Sequence, residues 1–379
     1  MPRVSNVLIV GGGIGGLVAA RALRQRGIAV DLIEKEPRWT VYGVGIIQPN
    51  NALRALERVG LAQACLDNGG AFDGWRIHDC DGNVLFDPPG NRGAAPHLPA
   101  HNGITRPKLH DILIAGARDS GADIRLGTTV TTLDDDGSGV NVRFNDGRSR
   151  RYDLVVGIDG AFSDTRRMLF GHRYEPQFTG QGVWRYNFAR PDEVDTGAVF
   201  FGPDTKVGLV PLSSTLMYMF VVTAERDDAR IEGTGLADAM KARLRGYSGL
   251  VARLREQIAD PAGVVYRPMV NILVDSPWRK GRVLLAGDAA HTTTPHLAQG
   301  AAMAIEDAVL LGELLGGDGA LDMALDEFMR RRFDRAKYVV DQSIQLATWE
   351  LEEWRGVVNP HANPGQLVDR ATTELMAEY

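Results

Sequence analysis

Apolar positions along the chain fall into two patterns that predict two kinds of strand. Residues 7–10 and 154–158 are continuous apolar runs of the kind that form buried parallel strands, and residues 282–286 repeat this pattern. From about residue 172 to 275, half-buried strands are predicted instead, as in an antiparallel sheet. The chain is therefore predicted to be an α/β protein with an inserted, mainly antiparallel β-sheet domain.

Helical periodicity occupies much of the remaining chain. It predicts helices at residues 17–26, 49–66, 108–117, 301–316, 323–354 and 368–377. One further helix, at 235–244, interrupts the inserted sheet, and residues 73–100 are rich in turn signals. The first buried strand, the helix at 17–26 and a second apolar run at 29–33 have the length of a βαβ unit.

Residues 11–16 read Gly-Gly-Gly-Ile-Gly-Gly and match the G-x-G-x-x-G pattern of dinucleotide-binding turns. The string alone is a weak signal, but a strand precedes it, a helix follows it, and Glu34 ends the next strand. Gly11 permits the tight turn, Gly13 lets a pyrophosphate approach the backbone, and Gly16 lets helix and strand pack closely. The Glu34 carboxylate suits ribose hydroxyls and argues against NADP here. A glycine-rich turn in an unrelated α/β fold is the alternative.

Two later segments also join a strand to a turn that suits a nucleotide. Gly287 and Asp288 follow the strand at 282–286, where a carboxylate suits a ribose or ribityl hydroxyl. The segment 295–303 then enters a helix, whose first N–H groups would stabilise negative charge on a reduced flavin. Asp159 and Gly160 follow the strand at 154–158, although an ordinary Asp-Gly turn that caps a helix explains them equally well.

Four blocks in this order resemble the single-component class A flavoprotein monooxygenases, the family of para-hydroxybenzoate, salicylate and 6-hydroxynicotinate hydroxylases. The resemblance spans residues 6 to about 345, and the blocks are Gly11–Gly16 with Glu34, Arg106 with Leu109 and Leu113, Asp159-Gly160 with Arg166, and Gly287-Asp288 with Pro295. It implies an FAD-binding Rossmann-like fold of the GR2 (para-hydroxybenzoate hydroxylase) type with C-terminal helices. The implied domains are an FAD-binding domain (1–72, 101–170 and 278–335), a substrate-binding sheet domain (73–100 and 171–277) and a C-terminal helical segment (336–379).

The resemblance also implies the cofactors and the chemistry. FAD is expected to bind tightly and non-covalently, with NAD(P)H as a transient co-substrate that needs no second fingerprint. NAD(P)H would reduce the flavin, O₂ would form a C4a-hydroperoxide, and a small phenolic or hydroxylated N-heteroaromatic ring would be hydroxylated. The implied FAD contacts are Gly11, Gly13, Ile14, Gly15, Gly16, Glu34, Lys35, Arg106, Asp159, Gly287, Asp288, Pro295, Gln299, Gly300 and Ala301.

Four further residues are candidates for contact with the substrate. His296 either hydrogen-bonds or deprotonates the substrate hydroxyl, or it only orders the loop before the flavin. Arg185 either holds a substrate carboxylate bidentately or forms a surface ion pair. Tyr218 and Gln48 are weaker candidates. Because related enzymes have a histidine near Gln48, the substrate anchor is expected to differ here, whereas His291 is expected to pack structurally.

Composition and charge limit the classes of protein to which the chain can belong. A chain of 379 residues suits two domains, and its net charge of −6 comes with no basic stripe for nucleic acid. No apolar run reaches the roughly 18 residues of a membrane helix, and no leader is expected before the first strand. Two cysteines, Cys65 and Cys80, are expected to be reduced in a cytoplasmic protein. No metal-ligand spacing occurs.

Other functions remain open on the same scaffold. A flavin-dependent epoxidase or dehydrogenase would share the four blocks, and a non-catalytic binding protein could also keep the fold. The intact glycine and Gly-Asp blocks argue against the binding protein. The expected partners are a small aromatic substrate and O₂, and the protein is expected to be a monomer or a homodimer.

Overall fold

The computed structural model describes residues 3–226, 231 and 233–379. The strands are β1 (Asn6–Val10), β2 (Ala29–Glu34), β3 (Gly45–Pro49), β4 (Gly70–Phe72), β5 (Trp75–Asp79), β6 (Val84–Phe86), β7 (His101–Thr105), β8 (Asp123–Leu126), β9 (Val130–Asp135), β10 (Val140–Phe144), β11 (Ser149–Tyr152), β12 (Leu154–Gly157), β13 (Gln177–Ala189), β14 (Gly197–Phe201), β15 (Thr205–Pro211), β16 (Leu216–Ala224), β17 (Val265–Asn271), β18 (Arg279–Lys280) and β19 (Val283–Leu285). The helices are α1 (Ile14–Arg24), α2 (Asn50–Arg58), α3 (Ala62–Asp67), α4 (Arg106–Asp119), α5 (Asp164–Phe170), α6 (Leu236–Arg243), α7 (Gly249–Gln257), α8 (Asp288–His291), α9 (Gly300–Leu315), α10 (Leu321–Trp354) and α11 (Pro364–Leu375).

The first large sheet has the strand order β18-β19-β12-β1-β2-β8, and its pairs are parallel except for β18 with β19. Side chains of β1 alternate between two cores. Val7 and Ile9 belong to the core formed with α1, α4 and α9, while Leu8 belongs to the core formed with the small antiparallel sheet of β9, β10 and β11. Burial on both faces accounts for the continuous apolar runs of the sequence.

The second large sheet has the order β17-β13-β16-β15-β14-β5-β6 and is antiparallel except where β14 pairs with β5. Helices α6 and α7 cover one face, where Trp184 and Met219 are buried. Because side chains alternate along a strand, Arg185 and Tyr218 belong to the opposite face, which packs against the three-stranded sheet β3-β7-β4. The predicted α/β fold with an inserted, mainly antiparallel sheet is confirmed.

One local prediction was wrong, and two others were incomplete. The predicted helix at 49–66 is two helices, α2 and α3, because the chain turns at Gly60 with a φ of +71°. The short helix α7 was not predicted, and the turn-rich stretch 73–100 contains β5 and β6. Strand β5 is short and pairs with β14, more than a hundred residues later, so little in its local sequence marks it as a strand.

Helix α10 is 34 residues long and contacts both α9 and the second large sheet. Near its start Arg332 pairs with Glu306 of α9, and at its end Trp354 packs against Val183 and Met269 of the second sheet. The predicted domain boundary at 335/336 lies inside this helix, and the division into domains stays a prediction. Residues 1–2, 227–230 and 232 of those predicted domains lie outside the described residues. Among the described residues, no helix is both long and apolar enough to cross a membrane.

Candidate active site

The turn between β1 and α1 has the geometry of a diphosphate-binding turn. Gly11 has a φ of +117°, and a Cβ there would collide with the carbonyl oxygen of Ile158. A Cβ at Gly16 would collide with the carbonyl oxygen of Gly11, so the helix start packs directly on the turn. A Cβ at Gly13, in contrast, would meet no atom within 4 Å. The turn is therefore tightly packed inside and open at Gly13, where Ile14 begins α1.

Glu34 ends β2 beside this turn. Its Oε2 accepts a hydrogen bond of 2.9 Å from the backbone N–H of Gly12, and its Oε1 accepts one of 3.0 Å from the N–H of Glu36. Lys35 is exposed next to it. On the other side of the turn, His110 Nε2 lies 2.9 Å from the carbonyl oxygen of Gly12. These contacts fix the carboxylate at the carboxyl end of the parallel strands, where nucleotides bind in open α/β sheets.

Strand β12 pairs with β1 and β19 pairs with β12, and an aspartate follows each of these two strands at the carboxyl edge of the sheet. The Asp159 carboxylate accepts hydrogen bonds from Ser163 and Thr165, and burial raises its pKa. Arg166 ties this loop to α8, because its guanidinium donates to the carbonyl oxygens of Ala161 and Ala289 at 2.7 and 3.0 Å. The Asp159-Gly160 block is thus a turn that hydrogen bonds hold in place beside the carboxyl end of β19.

Asp288 differs from Asp159 because its carboxylate has no hydrogen-bond partner among the described residues. Burial raises the pKa of Asp288, and nearby His291 and Arg106 act in the opposite direction. Arg106, at the first position of α4, is equally without a side-chain partner in the described residues, and burial lowers its pKa. The two groups therefore form an unsatisfied acceptor and an unsatisfied donor at one edge of the cleft.

The segment before α9 bends sharply into the helix. A single turn at Pro295–Leu297 is followed by Ala298, which has a φ of +56°. The Gln299 side chain is buried and accepts a 3.0 Å hydrogen bond from Asn51, so it faces the interior rather than the cleft. No side chain caps α9, so the backbone N–H groups of Gly300 and Ala301 lack helical partners.

A buried ionic network holds this segment and the Gly287 turn in place. Asp307 of α9 accepts hydrogen bonds from His291 Nε2 (2.7 Å), from the N–H of Gly287 (2.8 Å) and from Arg332 Nε (2.6 Å). These partners hold the pKa of Asp307 well below its usual range despite burial, which acts to raise it. Arg332 also pairs with Glu306 at 2.8 Å. His291 has the structural position that was expected for it.

The face of the second sheet that lines the cleft carries unpaired cationic and polar groups. Arg185 makes no hydrogen bond or ion pair with the described residues, and burial together with the neighbouring Arg106 lowers its pKa to about 10. The buried Tyr218 hydroxyl also lacks a hydrogen bond there, and burial raises its pKa to about 12. Arg267 is a third nearby cation, and no carboxylate of the described residues is paired with Arg185. This arrangement suits an anionic or strongly hydrogen-bonding ligand.

Gln48 and His296, unlike Arg185 and Tyr218, have hydrogen-bond partners within the protein. Gln48 is buried, and its Oε1 accepts a 2.8 Å hydrogen bond from Asn102, whereas its neighbour Ile47 packs with Tyr218. His296 has both ring nitrogens engaged: Nδ1 lies 2.8 Å from Thr294 Oγ1, and Nε2 lies 3.0 Å from Glu350 Oε2. Other residues thus hold both side chains, and contact of either one with the substrate stays a prediction.

Sequence reasoning missed the polar residues beneath the site, which hydrogen-bond to its loops. Asn51, Glu306, Asp307, Arg332 and Glu350 are buried or nearly buried polar residues that hold the loops described above. Adjacent acidic residues inside the apolar pattern of α9 were the available signal, because buried carboxylates require partners. Among the described residues, no group of three or more His, Cys, Asp or Glu side chains is arranged to hold a metal ion.

These features fit FAD. The open side of Gly13 admits a pyrophosphate, and Glu34 is placed for ribose hydroxyls. Asp288 and Arg106 provide the unsatisfied partners that a ribityl chain and phosphates need, and the uncapped start of α9 suits an electron-rich ring.

Comparison with known proteins leads to the same cofactor. Residues 4–343 match the family model described as FAD binding domain. The chain is 31% identical over 356 residues to aurachin C monooxygenase/isomerase of Stigmatella aurantiaca, covering 91% of this chain and 90% of that protein. It is 28% identical over 385 residues to 6-hydroxynicotinate 3-monooxygenase of Pseudomonas fluorescens, covering 93% and 95%.

A solved structure extends the similarity to the whole fold. HpxO of Klebsiella pneumoniae, crystallised with FAD and uric acid, superimposes with a TM-score of 0.83 at 25% identity, covering 98% of this chain and 96% of that one. The family match covers most of the chain and identifies the cofactor, which the solved structure contains, and the two relatives are both monooxygenases. The chain therefore belongs to the FAD-binding domain family, and it is an FAD-dependent monooxygenase.

Proposed function

We propose that this monooxygenase hydroxylates a small phenolic or hydroxylated N-heteroaromatic substrate, with NAD(P)H as the reductant and O₂ as the oxygen source. The observation that carries the proposal is the cationic cleft, in which Arg185 and Tyr218 lie near Arg106 without an acidic partner. A ring that bears a phenolate, enolate or carboxylate oxygen complements these groups. The compounds that the names of two similar proteins specify, 6-hydroxynicotinate and uric acid, belong to this class.

In this proposal the FAD lies along the carboxyl edge of the first sheet. When bound, FAD takes hydride from NAD(P)H and activates O₂ for transfer to the ring. The residues proposed to hold it are those implied by the family resemblance: Gly11, Gly13, Ile14, Gly15, Gly16, Glu34, Lys35, Arg106, Asp159, Gly287, Asp288, Pro295, Gln299, Gly300 and Ala301. Lys35 and Pro295 are exposed and Gln299 faces Asn51, so we expect these three to act mainly through their backbone.

The chain's own groups would then orient the substrate. Arg185 is proposed to bind its anionic group, and Tyr218, which stays protonated at neutral pH, to donate a hydrogen bond to a ring oxygen. His296 is an unfavourable base, because burial lowers its pKa and Thr294 and Glu350 occupy its two nitrogens. We therefore favour the loop-ordering role for His296 and an indirect, structural role for Gln48.

The direct test is substrate-stimulated oxidation of NAD(P)H across hydroxylated benzoates, pyridines and bicyclic phenols, with the products identified. We expect oxidation to accelerate with rings that bear an acidic oxygen, and one hydroxylated product to accumulate. A protein that binds FAD but responds only to neutral, non-hydroxylated compounds would contradict the proposed substrate class.

Arg185→Met gives the test at the level of one residue. Loss of a charge-assisted hydrogen bond is expected to raise KM for an anionic substrate about 10- to 100-fold, while the protein keeps its FAD. Steady-state kinetics with and without the ring carboxylate measure the effect. Arg148→Met, which removes an exposed cation from the β10–β11 turn, is the matched control and should leave KM unchanged. An unchanged KM in Arg185→Met would remove this residue from substrate binding.

We also propose a cytoplasmic location and action as a monomer or homodimer. The cysteines Cys65 and Cys80 are both free, as expected for a reducing compartment. Fractionation of cells and the mass of the protein in solution test these two statements directly.

A further inference from the structure

A buried polar cluster joins the second sheet to the loop that precedes α9. It consists of Glu350 at the end of α10, Lys206 on β15, Gln181 on β13 and His296 in the loop. Lys206 forms an ion pair with Glu350 Oε1, while Gln181 Nε2 and His296 Nε2 contact Glu350 Oε2 at 3.1 and 3.0 Å. Only 12% of the Glu350 side chain and 1% of the His296 side chain are exposed. One carboxylate thus connects three separate parts of the chain.

The protonation states of the cluster follow from its contacts. Lys206 and His296 hold the pKa of Glu350 well below its usual range although burial opposes this, so the carboxylate is ionised. Burial lowers the pKa of His296, so its imidazole is neutral at pH 7, and because an ionised carboxylate can only accept hydrogen bonds the ring proton is on Nε2. Nδ1 must then accept from the Thr294 hydroxyl, 2.8 Å away. Glu350 consequently fixes both the tautomer and the ring orientation of His296.

The surrounding packing makes α10 a rigid support for this loop. Leu351 lies against Gly180 at the start of the second sheet, and Trp354 packs with Val183. Leu297, next to His296, packs against the cluster around Leu346. Two residues after His296 the chain adopts the strained left-handed conformation of Ala298, which persists only where its surroundings hold it.

We propose that Glu350 is a positioning residue, which couples the position of the loop at 295–301 to that of the second sheet through its contact with His296. This inference rests on the proposed function, because it takes that loop to face the flavin ring. Lys206 compensates the charge of Glu350, so that the carboxylate can be buried, and the hydrogen bond from Gln181 holds this carboxylate against β13. A shift of the second sheet, which is proposed to bind the substrate, then displaces the loop at 295–301. This loop is proposed to set the position and the solvent access of the flavin.

The test compares Glu350→Gln with His296→Gln and with the double variant, all as FAD-loaded enzymes. Both single variants are expected to keep FAD but to change the visible circular dichroism of the bound flavin in the same way. The ratio of product formed to NAD(P)H oxidised should fall about tenfold, as expected for a small misplacement of reacting groups. The double variant should resemble either single one, because both changes interrupt one path. Glu353→Gln, on the exposed face of the same helix, is the control and should match the wild type.

Two outcomes would overturn the inference: a Glu350→Gln enzyme with wild-type dichroism and wild-type coupling, or additive effects of the two single changes. If Glu350→Gln does not fold, Glu350→Asp keeps the charge on a shorter arm and must show the same spectral change in weaker form; wild-type spectra would overturn the inference equally. A wild-type protein that binds no FAD would instead refute the proposed function. A wild-type flavoenzyme with unaltered variants would refute the role of Glu350 alone.

Discussion

Gly13 and Gly16 share one turn but are glycines for different reasons. A side chain at Gly16 would collide with the backbone of Gly11, so glycine there is needed for internal packing. A side chain at Gly13 would meet no atom within 4 Å, and its φ of −76° suits any residue. Packing within the protein therefore does not require glycine at position 13, whereas the approach of the FAD pyrophosphate to the backbone would.

We expect Gly13→Ala to fold with wild-type stability and to bind FAD at least about tenfold more weakly, because the added methyl group occupies the approach of the pyrophosphate. Fluorescence titration of the FAD-free protein measures the affinity. Gly16→Ala is expected to lower stability instead. Wild-type FAD affinity in Gly13→Ala would place the diphosphate elsewhere.

Single residues were predictable from sequence where a local pattern defined their role. Glu34 follows from the spacing of the βαβ unit, and it does lie beside the glycine turn. His296 shows the opposite case, since its partner Glu350 is 54 residues away and no local pattern links them. Gln48 became a candidate because related enzymes have a histidine near this position, whereas alternation along β3 brings its neighbour Ile47 to Tyr218, which no local pattern predicted.

At the scale of elements, ion pairs between side chains join α9 and α10 in addition to apolar contacts. Arg332 is fully buried and pairs with both Glu306 and Asp307. Removal of one member leaves buried carboxylates without compensation, which is costly even where the intact pair adds little. Elements whose core positions repeat regularly, such as α9 and β1, were predictable, while α7 and β5 depend on packing that the local pattern does not contain.

We expect Arg332→Met to lower the free energy of unfolding by about 3–5 kcal/mol. Urea unfolding followed by circular dichroism measures this change. Arg330→Met is the matched control two residues earlier, where the side chain is 71% exposed and pairs with Glu327, and it should cost only about 0–1 kcal/mol. Equal effects of the two changes would show that the buried network contributes nothing specific.

The same network predicts how stability depends on pH. The pKa of Asp307 is lowered in the folded protein, so its contribution is complete above the unfolded pKa of about 4 and is lost as the pH falls below it. The pKa values of Glu306 and Glu350 are shifted in the same direction. We expect the free energy of unfolding to decrease as the pH falls from about 5 towards 2, and to decrease less steeply in Asp307→Asn. A variant with the wild-type slope would contradict this assignment.

At the scale of the molecule, two sheets meet at a cleft whose walls have different chemistry. The edge of the first sheet provides Gly13, Glu34 and Asp288, and the second sheet provides Arg185 and Tyr218. The architecture was predictable because four motif blocks occur in order along one chain. The orientation of the second sheet relative to the first was not predictable, because it depends on contacts between distant segments, such as that of Ile47 with Tyr218.

The most direct measurement is turnover under ¹⁸O₂ with NAD(P)H and the substrate that most stimulates its oxidation. The account predicts one ¹⁸O atom in the ring hydroxyl of each product molecule, and none from labelled water. An oxidised product without ¹⁸O, or with oxygen from water, would contradict monooxygenation and make the protein a flavin dehydrogenase on the same fold.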